Sequence, residues 1–208
     1  MFLFDFHHHH SEKSEGIYNL NYEEQMPSHY FSVGIHPDSV SENLDEKLVW
    51  AKKLISHPKC VAIGECGLDA RYPTEELQMD VLYKHIEWSN HYQKPLIIHC
   101  VKRFSEIIPF VSKTNFGVVI HGFNKKKSIG DSLLANGCRL SFGKSLLYDV
   151  NLQTYFKTIP SDCFFLETDA SDINLKELYK KAADLRTMKM EELEMQLVNN
   201  LRSLNISL

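Results

Sequence analysis

Eight short apolar runs recur along the chain, and the third to sixth and the eighth are each followed by a stretch with helical periodicity. They occupy residues 3–6, 17–20, 31–35, 61–64, 96–99, 118–121, 138–142 and 164–167. Several are continuous rather than alternating, as expected of strands in a parallel sheet covered on both faces by helices. Between them, Leu44, Leu48, Ala51, Leu54 and Ile55 share one helical face. Leu77, Leu82 and Ile86 define another, after Thr74 as a candidate N-cap and with Glu75 and Glu76 in the first turn. Residues 104–111 read as a third helix, weakened by Pro109. Residues 128–136 read as a fourth, stopped by Gly137. Helices over 174–186 and 188–204 close the chain, the last with Met190, Leu193, Leu197, Leu201 and Leu204 on its apolar face.

Strands alternating with helices imply βα units. The first two strands are separated by only about ten residues, too few for a crossover helix, and the second connection is also short. The expected fold is α/β: a distorted or trimmed TIM (β/α) barrel with helices missing or reduced near the N-terminus, built by residues 1–208 as a single domain.

Composition narrows the setting. A net charge of -4 argues against a broad basic surface for duplex nucleic acid, yet leaves room for a local basic rim. The run Lys125-Lys126-Lys127 is the one notable charge cluster. No apolar stretch has the length needed to span a bilayer, and the first residues lack the features of a signal peptide. The five cysteines are scattered and form no C-x-x-C pair, which fits a reducing cytoplasm better than a disulfide framework.

The chemistry gathers at the strand ends. In a parallel barrel all carboxyl ends face one way, so residues far apart in sequence converge there. His7 and His9 form an H-x-H pair whose imidazoles share one strand face, with His8 and His10 pointing away; a tag-like or polar-turn histidine run is the alternative. Glu65 follows residues 61–64 and stands between two glycines, where a carboxylate can bridge two metals. His99 and His121 end two apolar runs in the same manner; either alone would read as a core histidine. Asp169 ends the last run, where it can bind metal and take a proton from metal-bound water, or simply cap the following helix. Imidazoles and carboxylates together suit Zn²⁺, Mn²⁺, Fe²⁺ or Co²⁺ and leave Mg²⁺ possible. The absence of paired cysteine ligands argues against a closed structural zinc site.

These segments resemble the TatD family of metal-dependent deoxyribonucleases, within the amidohydrolase-like barrels. The resemblance is carried by Phe4-Asp5-Phe6-His7-His8-His9, Val33-Gly34-Ile35-His36-Pro37, Ile63-Gly64-Glu65-Cys66-Gly67-Leu68-Asp69, Lys94-Pro95-Leu96-Ile97-Ile98-His99, His121-Gly122-Phe123 and Leu166-Glu167-Thr168-Asp169-Ala170. It implies a distorted TIM barrel holding two divalent ions. By motif, His7, His9, Glu65 and Asp169 would hold one, and Glu65, His99 and His121 the other, with Asp169 as base. The implied reaction is phosphodiester hydrolysis on DNA, at single strands or ends.

The chain also departs from that pattern. The family commonly reads S-R-D-A after the histidine matching His99; here the residues are Cys100-Val101-Lys102-Arg103, with no arginine in register. After Asp169 the family's proline and R-x-N-x-P loop are replaced by Ser171-Asp172-Ile173-Asn174. Candidate substrate contacts are therefore His36, Tyr72, Lys102 and Arg103. Two other readings stand beside the nuclease: a metal-dependent hydrolase of a small phosphoester or lactone, and a metal-binding but inactive barrel serving as an interaction module.

Overall fold

The computed structural model describes residues 3–207. Its strands are β1 (Asp5–His8), β2 (Gly16–Leu20), β3 (Phe31–Val33), β4 (Cys60–Asp69), β5 (Leu96–Val101), β6 (Val118–Ile120), β7 (Cys138–Phe142) and β8 (Phe164–Leu166). They form one sheet whose spatial order equals chain order, and every neighbouring pair is parallel. The ends meet. Asp169 N–H donates to the His7 carbonyl at 2.9 Å, and His9 N–H donates to the Asp169 carbonyl at 3.2 Å. The result is a TIM barrel with its seam between β1 and the end of β8.

The helices are α1 (Leu44–Ile55), α2 (Glu75–Tyr92), α3 (Phe104–Val111), α4 (Lys127–Ala135), α5 (Ser145–Tyr148), α6 (Val150–Phe156), α7 (Leu175–Arg186) and α8 (Met190–Arg202). No helix separates β1 from β2 or β2 from β3, as their short connections require. The loop after β2 covers the barrel wall there instead. Tyr18 donates from its hydroxyl to Glu24 at 2.6 Å, and its ring lies 5.9 Å from that of His8. Burial holds His8 neutral, pushing its pKa down to about 3.

Two apolar layers follow from strand alternation. Inward side chains Phe4, Phe6, Ile17, Ala62, Ile97, Val119 and Phe165 fill the barrel, and Leu201, Leu204 and Ile206 join them. Phe6 and Phe165 stack at 4.2 Å across the seam. Outward side chains such as Leu20, Ile63, Ile98, Leu140 and Leu166 pack against the helices.

Three features differ from expectation. β1 begins at Asp5 rather than residue 3, because pairing with Gly16 and Tyr18 defines it, not apolarity. β4 continues past its apolar run to Asp69, held by a ladder to β5 that pairs Gly67 with His99 and Asp69 with Val101. Helices α5 and α6 were not anticipated. Asp149 caps α6 by accepting from Asn151 and Leu152 N–H at 2.9 and 3.1 Å, and Leu152, Tyr155 and Phe156 are its buried residues. Among the described residues all five cysteines are free, and no helix is long and apolar enough to cross a membrane.

Candidate metal centre

The inward positions at the carboxyl end of the barrel are polar, in contrast to the apolar layer beneath. Along β5, Ile97 points into the core, and His99, two residues on, points to the mouth. In β1 the register shifts between Asp5 and His8, so His7 and His9, and not His8, follow Phe6 to the mouth. Glu65 lies within β4, where the strand presses closely on β5: a Cβ at Gly64 would strike the Ile97 carbonyl, and one at Gly67 the His99 carbonyl. Both glycines have φ near +145°, at 144° and 146°, which side-chain-bearing residues rarely adopt. The glycines flanking Glu65 thus let its strand approach β5 closely enough to bring the carboxylate to His99.

Glu65 is the hub. Its Oε1 lies 2.7 Å from His99 Nδ1, 2.8 Å from His121 Nε2 and 3.4 Å from His36 Nε2. Its Oε2 lies 3.4 Å from His7 Nε2 and 3.3 Å from His9 Nε2. Asp169 joins the second set, with Oδ1 at 3.5 Å from His9 and 3.9 Å from His7. Asp169 takes a left-handed backbone conformation, φ 53°, directly at the seam; aspartate tolerates this better than most residues. Asp5 secures the residue before it, accepting from Thr168 N–H at 2.8 Å and from the Thr168 hydroxyl at 2.5 Å.

Charge in the cluster is tightly coupled. Burial alone would raise the Glu65 carboxyl, but His121, His36 and His7 overcome it and hold it well below the usual carboxylate range. Burial acts on His121 in the opposite sense, yet Glu65 and Glu167 raise it well above an ordinary imidazole. A buried carboxylate here demands positive charge beside it, and a divalent cation is another way to supply that charge.

The donor set fits such ions. Three groups have ligand atoms within 4.8 Å of one another: His7, His9 and Asp169; His7, Glu65 and His121; His36, Glu65 and His99. Both ring nitrogens of His7 are buried without a hydrogen-bond partner, a costly arrangement that coordination through one nitrogen would relieve.

A supporting layer lies behind the cluster. Glu167 accepts from Gly122 N–H at 2.6 Å and sits 3.5 Å from His121 Nδ1. Asp69 stands 2.9 Å from His99 Nε2 and forms a bidentate pair with Arg71. Gln78 anchors this corner by accepting from Asp69 N–H at 2.8 Å. From α2, His85 accepts from Ile35 N–H at 3.0 Å, fixing the chain just before His36.

The structure therefore brings together His7, His9, His36, Glu65, His99, His121 and Asp169. It does not bring Arg103 to them: that guanidinium pairs with Glu75 and Glu106, each at 2.7 Å, away from the mouth. Lys102 is exposed beside a groove that adjoins the centre. Tyr72 lies beneath Arg71, whose guanidinium carbon is 5.7 Å from its ring centroid. Sequence reasoning missed Asp69 and Arg71 as neighbours of His99. The signal was their place at the end of the Gly67-Leu68-Asp69 stretch, which only a longer β4 carries to the barrel mouth.

Residues 6–205 match the family model described as TatD related DNase. A Bacillus subtilis protein named as the metal-dependent hydrolase YabD is 25% identical over 184 residues, covering 79% of this chain and 72% of that one. The 3'-5' ssDNA/RNA exonuclease TatD of Cronobacter turicensis is 29% identical over 164 residues, 74% of this chain and 62% of that one. The Erwinia billingiae protein of the same name is 30% identical over 147 residues, where the match spans 67% of this chain but 56% of that protein. Among solved structures, the TatD homolog YJJV of Escherichia coli superposes with a TM-score of 0.82 at 20% identity, covering 99% of this chain and 98% of its own. A TatD family hydrolase of Entamoeba histolytica gives 0.78 at 16% identity. With the family model spanning nearly the whole chain, this protein belongs to the family of TatD-related DNases.

Proposed function

We propose that the protein is a two-metal phosphodiesterase that hydrolyses DNA at single strands or ends. The observation that carries this reading is the division of Glu65, whose two oxygens face two different sets of imidazoles. A carboxylate so placed is suited to bridging two cations. His7, His9, Glu65 and Asp169 would hold one ion, and Glu65, His99 and His121 the other, with His36 beside the second. Two divalent ions, when bound, supply an activated water and neutralise charge on both the attacking and leaving oxygens of a phosphodiester.

The chain's own groups do the rest. The Asp169 carboxylate is the one acid of the cluster with substantial exposure, at 41% of its side chain, so it can accept the proton of an attacking water and release it to solvent. Glu167 and Asp69 hold His121 and His99 in orientation. Arg71 reaches within 3.5 Å of His99 Nε2 and keeps 56% of its side chain exposed. It is a guanidinium at the mouth, paired with Asp69 but with an exposed edge that can meet a phosphate, where the family's arginine after His99 is replaced by Val101.

The test is turnover of the manganese-loaded protein on single-stranded DNA and on bis-p-nitrophenyl phosphate, with a chelated control. Chelator-sensitive loss of DNA supports the reading. Hydrolysis of the small ester alone shifts the substrate to a small phosphoester, and metal binding with no hydrolysis supports an inactive module.

A further inference from the structure

A groove of about 550 Å³ runs between α3 and α4, lined by Lys102, Phe104, Ser105, Ile108, Lys125, Ser128, Ile129, Ser132 and Leu133. It adjoins the smaller cavity of about 180 Å³ lined by His99, His121 and Asp169, and Phe104 and Lys125 line both. We propose that this groove seats the polynucleotide strand adjoining the scissile phosphate, with Lys102 and Lys125 gripping its phosphates. The inference rests on the phosphodiesterase reading for its chemistry, and on the groove for the strand.

Three observations support a strand as the occupant. The first is charge. Most cations near the mouth are neutralised: Arg103 pairs with Glu75 and Glu106, Lys127 with Asp131 at 2.8 Å, and Arg71 with Asp69. Lys102 and Lys125 are exposed and have no ion pair among the described residues. On a chain of net charge -4 they line one channel, with the exposed Lys126 beside Lys125, a basic edge complementary to a polyanion.

The second is the lining. Phe104 and Ile108 on α3 and Ile129 and Leu133 on α4 give the groove apolar walls, and Ser105, Ser128 and Ser132 are exposed hydroxyls along them. An aromatic ring with nearby lysines suits stacked bases on a charged backbone, without demanding a particular base. The third is dimension. The groove has the volume of an ordinary ligand pocket and adjoins the cavity beside His99 and His121, so one strand can occupy both. Lys102 is set at its edge by a left-handed backbone turn, φ 58°, immediately after β5.

The experiment uses the manganese-loaded protein and fluorescein-labelled oligothymidylates of two, four and six nucleotides. KM is expected to fall at least tenfold between the shortest and the longest. The double variant Lys102→Asn, Lys125→Gln removes both charges, and asparagine suits the left-handed position at 102. It is expected to raise KM for the longest strand about tenfold, with kcat changed less than threefold. The slope of log affinity against log salt should shrink by about 1.4, the share of two single-strand phosphate contacts. An unchanged melting temperature shows that the variant is folded. Strand turnover with a length-independent KM, or with native KM and salt slope in the double variant, overturns the groove and leaves the phosphodiesterase reading standing. Absence of any strand turnover, with lysine-dependent binding of the longest strand still seen by anisotropy, overturns the phosphodiesterase reading and keeps the groove as a strand-binding site.

Discussion

Asp69 and His99 meet at 2.9 Å on the edge of the imidazole opposite the one that faces Glu65. The ring is thereby held with Nδ1 toward the shared carboxylate, while His7, His9, His36 and His121 all present Nε2. Carboxylates that orient metal-binding histidines typically contribute 10–100-fold, about that much in metal affinity or activity. Asp69→Asn is expected to weaken manganese binding and turnover by about 10–100-fold, with an unchanged far-ultraviolet circular dichroism spectrum. Calorimetric titration checks this, and native affinity would remove Asp69 from the site.

Glu65→Ala and Asp169→Ala are each expected to abolish hydrolysis. The fold should survive both, because the apolar layer of the barrel lies beneath the site. Steady-state rates alongside thermal melting separate the two effects. Full activity in either variant contradicts the role assigned to that carboxylate.

His85 makes stability depend on pH. It is fully buried in α2, accepts from Ile35 N–H, and its Nδ1 lies 2.6 Å from the Val81 carbonyl. Burial pushes its pKa down to about 4, with the Val81 contact opposing. The unfolded chain takes up this proton near pH 6.5, whereas the fold resists until about 4. Its contribution is therefore fully present above pH 6.5 and lost as pH falls toward 4, by on the order of 3 kcal/mol. Urea unfolding across that window should show the decline, and His85→Gln should make it shallower, the buried His8 contributing the remainder.

The stacked pair Phe6 and Phe165 ties β1 to β8 inside the barrel. Phe165→Ala is expected to cost about 3–5 kcal/mol in urea unfolding. A loss under about 1 kcal/mol would mean that the seam is held by its backbone hydrogen bonds alone.

Strand positions were legible because burial on both faces leaves continuous apolar runs, and each of the eight expected strands overlaps an observed one. Missing helices near the N-terminus were legible from connection length. The end of β4 was not, since Glu65, Gly67 and Asp69 are strand residues held by ladder pairing rather than by apolarity. Nor were α5 and α6, whose seven-residue and shorter lengths offer too few turns for a periodic signal. In the centre, the convergence of His7, His9, Glu65, His99, His121 and Asp169 was legible from their places after apolar runs, but that of Asp69 was not. The fate of Arg103 was not: neighbouring in sequence to Lys102, it turns to α2 and Glu75 because β5 has ended and the alternation that aims side chains has ended with it.

The most direct measurement is anomalous scattering from crystals soaked in manganese. Two peaks flanking Glu65, about 3.5–4 Å apart as in other two-metal sites, are the expected result: one among His7, His9 and Asp169, the other between His99 and His121. A single peak, or two that do not share Glu65, would contradict the bridged centre on which the proposed chemistry depends.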